Sequence, residues 1–406
     1  MLPHFAPRRA LVVCIPLALG TVLSLAQSAH DTNTLSYRPN DPLNLTAFNH
    51  FYNLGYDHAV EEFGQILQRH PDDPFAVNHL LTAVLFRELY RMGALNTGEY
   101  ANDSFIHAPH HKADPKAQQR IRQLIDRALK LEEKRLKSDP NDVDALYARG
   151  VTRAQFSTYT ALIEHAWFSA LRNAVGARHD HERVLELAPN DVQAKLIVGA
   201  HNYVIGSLPW GVKVGASIVG LSVNKEKGIK DLQECAAGGG ETSVDAKVLL
   251  VLFLRREHRY DEALPIARDL IASYPQDVLM ALEEGNLLRA AGKDQDAAAA
   301  YRKIWLAGHD GHYPGLHYEI AALSLGDLLR AEKDYSSAAA TYEQVSQVSQ
   351  PDPEVLQKAN LGAGEMYDLL QRRNQAVAKY QAVIATNAST PPAETARKRM
   401  KDAYRE

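Results

Sequence analysis

The chain has 406 residues, 23% of them charged and 46% hydrophobic, with a formal net charge of -4. That composition excludes a disordered chain, which needs low hydrophobicity and high charge. The mildly acidic balance gives no electrostatic footprint for nucleic acid, and two cysteines, Cys14 and Cys235, exclude a disulfide framework.

The first element reads as a secretory signal. Arg8 and Arg9 close a short positive region, and the apolar run from Ala10 to Leu25 is too short for a comfortable membrane span. A signal peptide over residues 1–26 is expected, with cleavage as late as residue 29; an uncleaved N-terminal tether is the alternative. Cys14 lies inside the run rather than after it, which argues against a lipoprotein anchor. The region has a bacterial look, so the periplasm or cell envelope is the expected location, and no transmembrane span is expected in the mature chain. Cys235, then the lone thiol in an oxidising compartment, is expected to be buried. Residues 27–40 read as a flexible linker.

From there one turn signal recurs four times: Pro71-Asp72-Asp73-Pro74, Pro140-Asn141-Asp142-Val143, Pro189-Asn190-Asp191-Val192 and Pro275-Gln276-Asp277-Val278. Proline cannot continue a helix, and the aspartate can cap the free amides of the next one. This is punctuation for helical hairpins. Residues 41–240 read as irregular helical repeats with insertions at 92–114 and 204–224, and helix-forming stretches at Lys116–Lys137 and Asp144–Leu187 exceed the needs of one repeat.

Residues 241–390 read as regular repeats. Tyr260, Ala263, Ala267 and Leu270 stand before Pro275 as Tyr56, Ala59, Phe63 and Ile66 stand before Pro71. Ala297-Tyr301-Ile304, Tyr335-Ala338-Tyr342-Val345 and Ala376-Tyr380-Val383 continue the series. Ala263 to Ala297 is 34 residues, and the later steps of 41 and 38 have longer loops. Gly150, Gly199, Gly285, Gly326 and Gly364 supply a small position on the preceding helices, where two helices can approach closely. Residues 391–406 read as a polar capping helix with Arg397, Lys398, Arg399, Lys401 and Asp402.

These small, aromatic, alanine and proline positions resemble the tetratricopeptide repeat (TPR) consensus, specifically over Val244–Ala388 and more loosely over Asp41–Gly240, where the usual tryptophan is missing. The resemblance implies an all-α solenoid of stacked antiparallel helix pairs. Gly206-Ser207-Leu208-Pro209, Val219-Gly220-Leu221, Lys227 to Leu232 and Ala236-Ala237-Gly238-Gly239 resemble a stretch of the tetratricopeptide repeat protein 39 family, which implies architecture more than activity.

Three features could carry function. Aligning the repeats on Val251, Gly285 and Gly326 places Arg255, Arg289 and Arg330 at one equivalent position, with Asp368 breaking the row in the next repeat. First helices of such repeats line the concave face, so the row predicts a groove that grips an acidic or C-terminal peptide through guanidinium forks. Asn286 joins this groove, and Asp327 and Glu365, three residues before the arginine position, could neutralise the row internally. Histidines form the second feature. His107, His110 and His111 lie near Glu99, Asp103 and Asp114, and His309, His312 and His317 lie near Gly311; without a metal-site spacing, both groups read as solvated loop histidines, with a zinc or copper site as the alternative. The third is the apolar stretch 204–223 with Trp210, whose Pro209, Lys213 and glycines make it a poor span and a covering insertion or apolar patch instead.

No nucleophile elbow, Walker loop or dinucleotide fingerprint is present, and Gly238-Gly239-Gly240 reads as a linker. The expectation is an exported interaction scaffold holding a protein or peptide partner of acidic character, with no cofactor and no catalysis. The alternatives are a metal-dependent enzyme at the His107 cluster, or a binder of apolar ligands or membrane surface through residues 204–223. Nothing in the sequence decides the oligomeric state.

Overall fold

A computed structural model describes residues 37–98, 112–207 and 224–406. The chain divides at residue 34, and the described residues all belong to the second unit, Leu35–Glu406. The expected signal, His107, His110, His111 and Trp210 lie outside the described residues.

Among the described residues there are seventeen α-helices and no strands. They are α1 (Leu43–Tyr52), α2 (Tyr56–Arg69), α3 (Pro74–Arg91), α4 (Pro115–Ser138), α5 (Val143–Leu162), α6 (Trp167–Leu187), α7 (Lys195–Ser207), α8 (Lys225–Ala237) and α9 (Ser243–Arg256). They continue as α10 (Tyr260–Ser273), α11 (Val278–Ala290), α12 (Asp294–His309), α13 (Glu319–Ala331), α14 (Tyr335–Gln344), α15 (Pro353–Leu369), α16 (Arg373–Thr386) and α17 (Pro391–Lys401). Helices adjacent in sequence pack together, and first helices of successive pairs, α3 with α5 and α13 with α15, also touch.

The four turn signals act as their chemistry requires. Asp73, Asp142, Asp191 and Asp277 each accept a backbone N–H from the turn that follows. Within pairs a second turn recurs. His258, Gly292, Lys333 and Gln371 take left-handed φ of 58, 71, 63 and 60°. The next residue in each case donates to a carbonyl five positions back, as Arg259 does to Leu254 at 2.8 Å and Arg372 to Tyr367 at 2.8 Å. Leu54 and Gly55 repeat the turn between α1 and α2, so the loosely matching N-terminal half begins with a regular pair.

Between the paired helices, glycine makes room for an aromatic ring. A Cβ on Gly285 would stand 2.4 Å from the Tyr301 ring, on Gly326 2.5 Å from Tyr342, and on Gly364 2.5 Å from Tyr380. Further back, Gly150 faces His181, and Gly199 and Gly228 bring the α7 and α8 backbones together. The long helical stretch 144–187 is two helices; the chain reverses at His165, in a left-handed conformation, so that α6 returns along α5. Cys235 is buried as expected.

One core cluster takes in residues from Tyr37 to Ala396, because the N-terminal segment folds onto the regular repeats, and a second, smaller one gathers Phe75, Leu136, Leu146, Tyr147, Val184 and Ala194. Tyr52 Oη donates to Asp245 Oδ1 at 3.2 Å, Gln276 N–H donates to Asn53 Oδ1 at 3.0 Å, and Tyr90 stacks on His317 with centroids 5.8 Å apart. His79 lies 2.6 Å from Glu241, making a fourth tie between the halves.

Inside the N-terminal half, Thr152 Oγ1 lies 2.7 Å from Asn78 Oδ1 and 2.6 Å from Glu132 Oε1, while Asn78 Nδ2 donates to the Ala148 carbonyl at 2.9 Å. One hydroxyl hydrogen cannot serve two acceptors, so the fully buried Glu132 carboxyl must supply a proton to complete the network. Burial accordingly raises Glu132 from 4.5 to about 7, against the smaller opposing effects of Thr152 and Arg149. The native state then binds this proton more tightly than the unfolded chain. The resulting stability is complete below about pH 4.5 and is lost as pH rises through about 7. Glu132→Gln keeps a donor without the titration, so it should exceed the wild type by up to about 3 kcal/mol at pH 8.5 and match it near pH 4.5, read from urea midpoints.

Candidate partner-binding groove

The first helices α9, α11, α13 and α15 carry the aligned positions on one face, and the structure gives each member of the row a different environment. Arg255 is 6% exposed. It forms an ion pair with Glu283, which is wholly buried, and donates to the Thr97 carbonyl at 2.6 Å. Burial raises the Glu283 carboxyl, with Arg255 opposing. The expectation that Arg255 lines an open groove is therefore corrected: the chain leaving α3 covers it, and it stitches that segment to the repeats.

Arg330 reaches Glu365 at 2.8 Å, and its other terminal nitrogen donates to Tyr404 Oη at 2.8 Å. Glu365, 7% exposed, also receives Arg399 at 3.3 Å. Asp368 has its side chain fully buried, held by Arg373 at 2.9 Å, by Tyr380 Oη at 2.8 Å and by the Tyr404 N–H at 2.8 Å. Glu365 thus neutralises Arg330 as the sequence alternative anticipated, whereas Asp327 forms no ion pair with the row: its Oδ1 accepts from Tyr342 Oη at 2.7 Å, and it meets Arg289 and Arg330 only at longer range.

Arg289 differs. It is half-buried and, among the described residues, has no hydrogen bond or ion pair. Its neighbours on the face are Asn286, whose Oδ1 accepts from Tyr301 Oη at 2.8 Å, and Asp327 on α13. Asp327 is exposed, yet the surrounding walls desolvate it enough to raise its carboxyl, with Tyr342 and Arg289 opposing.

The tyrosines, which the pattern reading assigned to packing alone, also reach the polar side chains of the candidate groove. Each ring crosses its glycine, and each hydroxyl emerges at a polar side chain of the first helix: Tyr301 at Asn286, Tyr342 at Asp327, Tyr380 at Asp368. The signal was available, because all three positions are tyrosine where phenylalanine would pack equally well.

The second histidine group does not converge. His309 is exposed beside Asp310, His312 lies 3.0 Å from the Pro275 carbonyl, and His317 lies 3.0 Å from Glu319. The reading of these as solvated loop residues is corrected for His317, which is half-buried under Tyr90 and raised above the ordinary histidine range by its Glu319 contact. Among the described residues no group of three or more histidine, cysteine or acidic side chains could hold a metal ion, and no helix is long and apolar enough to cross a membrane.

Because Arg255 and Glu283 are both buried, removing either leaves an uncompensated charge. Arg255→Ala should cost about 3–5 kcal/mol, and Arg255→Met with Glu283→Leu should recover most of it, measured by chemical denaturation.

A family model described as tetratricopeptide repeat matches residues 250–304, spanning the end of α9 through α12. No curated protein matches the chain. Similar solved structures include PilF of Pseudomonas aeruginosa, with 13% identity over 62% of this chain and 97% of that one at a TM-score of 0.37. A human IFIT1 dimer with m7Gppp-AAAA has 14% identity over 89% and 82% at 0.40, and a tetratricopeptide repeat protein from Parabacteroides merdae has 13% over 88% and 96% at 0.29. Helix pairs that share one turn and glycines that admit tyrosine rings continue beyond the matched residues 250–304, so the described chain has a tetratricopeptide-like repeat architecture.

Proposed function

We propose that this protein is an exported scaffold of the cell envelope that holds a partner through an extended segment lying across α11 and α13, binding it rather than transforming it. The observation that carries the reading is Arg289. It is the member of the arginine row that has no hydrogen bond or ion pair among the described residues, beside the amide of Asn286 and the hydroxyl-bonded Asp327. A guanidinium with free donors on a partly desolvated face favours a carboxylate, and a charge-assisted bond there contributes about 1.5–3 kcal/mol. The apolar leader at Ala10–Leu25 supports export. Mature protein used as bait in envelope extract should capture its partner at least about tenfold less well as Arg289→Glu. Capture unchanged by that reversal, in a protein that unfolds like the wild type, would refute the reading.

A second reading has its own observation. Trp167, Phe168 and Leu171 at the start of α6 are 43, 93 and 37% exposed, and Val204 on α7 is 47% exposed, just ahead of the apolar stretch beyond Ser207. Such a patch suits a lipid surface. Flotation with anionic vesicles should then carry the wild type and leave Trp167→Ser/Phe168→Ser behind; a wild type that stays in the soluble fraction defeats this reading.

A further inference from the structure

After α17 ends at Lys401 the chain turns back over Arg330, the last arginine of the row. Asp402–Glu406 makes contacts of three chemical kinds there. The Tyr404 ring lies between two guanidinium groups, with the Arg399 carbon 4.5 Å and the Arg330 carbon 5.2 Å from its centroid. Its hydroxyl accepts from Arg330 at 2.8 Å, its backbone N–H donates to Asp368 at 2.8 Å, and Glu406 accepts from the Tyr335 hydroxyl at 2.8 Å. Arg373 fixes where this segment departs, donating to the Arg399 and Met400 carbonyls at 2.8 Å each.

The segment is held by these polar contacts rather than by burial. Asp402, Arg405 and Glu406 are exposed and Tyr404 only half-buried. Arg330 is the repeat equivalent of Arg289, so the segment sits on the continuation of the face proposed above to bind a partner.

We propose that Asp402–Glu406 is an intramolecular occupant of the groove, and that the partner displacing it carries the same chemistry: an extended segment with a tyrosine followed two residues later by a carboxylate. The inference rests on the groove reading. Tethering keeps the segment at an effective concentration near the millimolar range, so a free peptide competes poorly until the tether is cut. Once the segment is gone, Arg330 and Arg399, still paired to Glu365, regain open guanidinium faces, and Asp368, still held by Arg373 and Tyr380, regains an acceptor for an incoming chain. A tyrosine ring suits them because its face attracts guanidinium while its hydroxyl accepts from the same group.

The test compares the full chain with one shortened after Asp402, and with Tyr404→Ala in the full chain. The probe is a synthetic Asp-Ala-Tyr-Arg-Glu peptide with both ends blocked, set against Asp-Ala-Ala-Arg-Ala, and binding is followed by broadening of the peptide resonances. The shortened chain and the Tyr404→Ala chain should bind the tyrosine peptide at least tenfold more tightly than the full chain does. The alanine peptide should not bind, and Arg330→Ala in the shortened chain should abolish the gain. A shortened chain that keeps its helical content but binds neither peptide overturns the proposal, as does equal binding by full and shortened chains. A shortened chain that melts many degrees lower and takes no peptide also overturns it, because the segment is then a structural cap. The groove reading is scored separately by capture with Arg289→Glu, whose site the shortening leaves intact.

Discussion

The close passage of a tyrosine ring over a helical glycine governs this protein. At Gly285, Gly326 and Gly364 any side-chain carbon would fall 2.4–2.5 Å from the facing ring, a distance no relaxed structure tolerates. The glycine therefore sets how closely the two helices of a pair approach, and the ring fixes their register. The phenol then reaches through the pair, and its hydroxyl surfaces on the first helix beside Asn286, Asp327 or Asp368. Packing and groove chemistry are thus one arrangement. A repeat that loses its ring loses the hydroxyl that orients its polar lining.

Stacking alone would produce an open solenoid in which each repeat meets only its neighbours. Here the N-terminal segment adds contacts over long separations. Tyr52 meets Asp245, Asn53 meets Gln276, Tyr90 meets His317, and Thr97 caps Arg255. Such contacts shorten the accessible face, because whatever Thr97 covers is no longer available to a partner. They also make the two halves cooperative, since unfolding the first helices would strand the buried Arg255 and Glu283 charges without the carbonyl that completes their bonding.

What could be read from the sequence, and what could not, divides by distance along the chain. The aspartate caps at Asp73, Asp142, Asp191 and Asp277 act on amides two or three residues away, so their chemistry was legible in a four-residue window. The small positions at Gly150, Gly199, Gly285, Gly326 and Gly364 were legible because periodicity puts them on the inner face. The arginine register was legible too, but the partners were not. Glu283 lies 28 residues from Arg255 and Thr97 lies 158 away, and no local pattern announces either. His317 failed for the same reason: its neighbours in sequence look like loop, while Tyr90, which buries it, arrives from α3.

Sequence equivalence in a repeat array is equivalence of register, and it carries no promise of equivalent surroundings. The three arginines sit at the same place on successive first helices. Their surroundings then separate them: the segment leaving α3 covers Arg255, and the returning segment after α17 covers Arg330. Arg289 has a repeat on each side and, among the described residues, no hydrogen bond or ion pair, acting only at longer range on Asp327. In the groove reading proposed above, a partner's carboxylate pairs at the middle of the row, and what lies on either side of it sets specificity. The amide of Asn286 and the carboxylate of Asp327 restrict which side chains can flank the docked anion, because a second acidic group placed beside Asp327 would be repelled in the partly desolvated groove where screening by water is weakest.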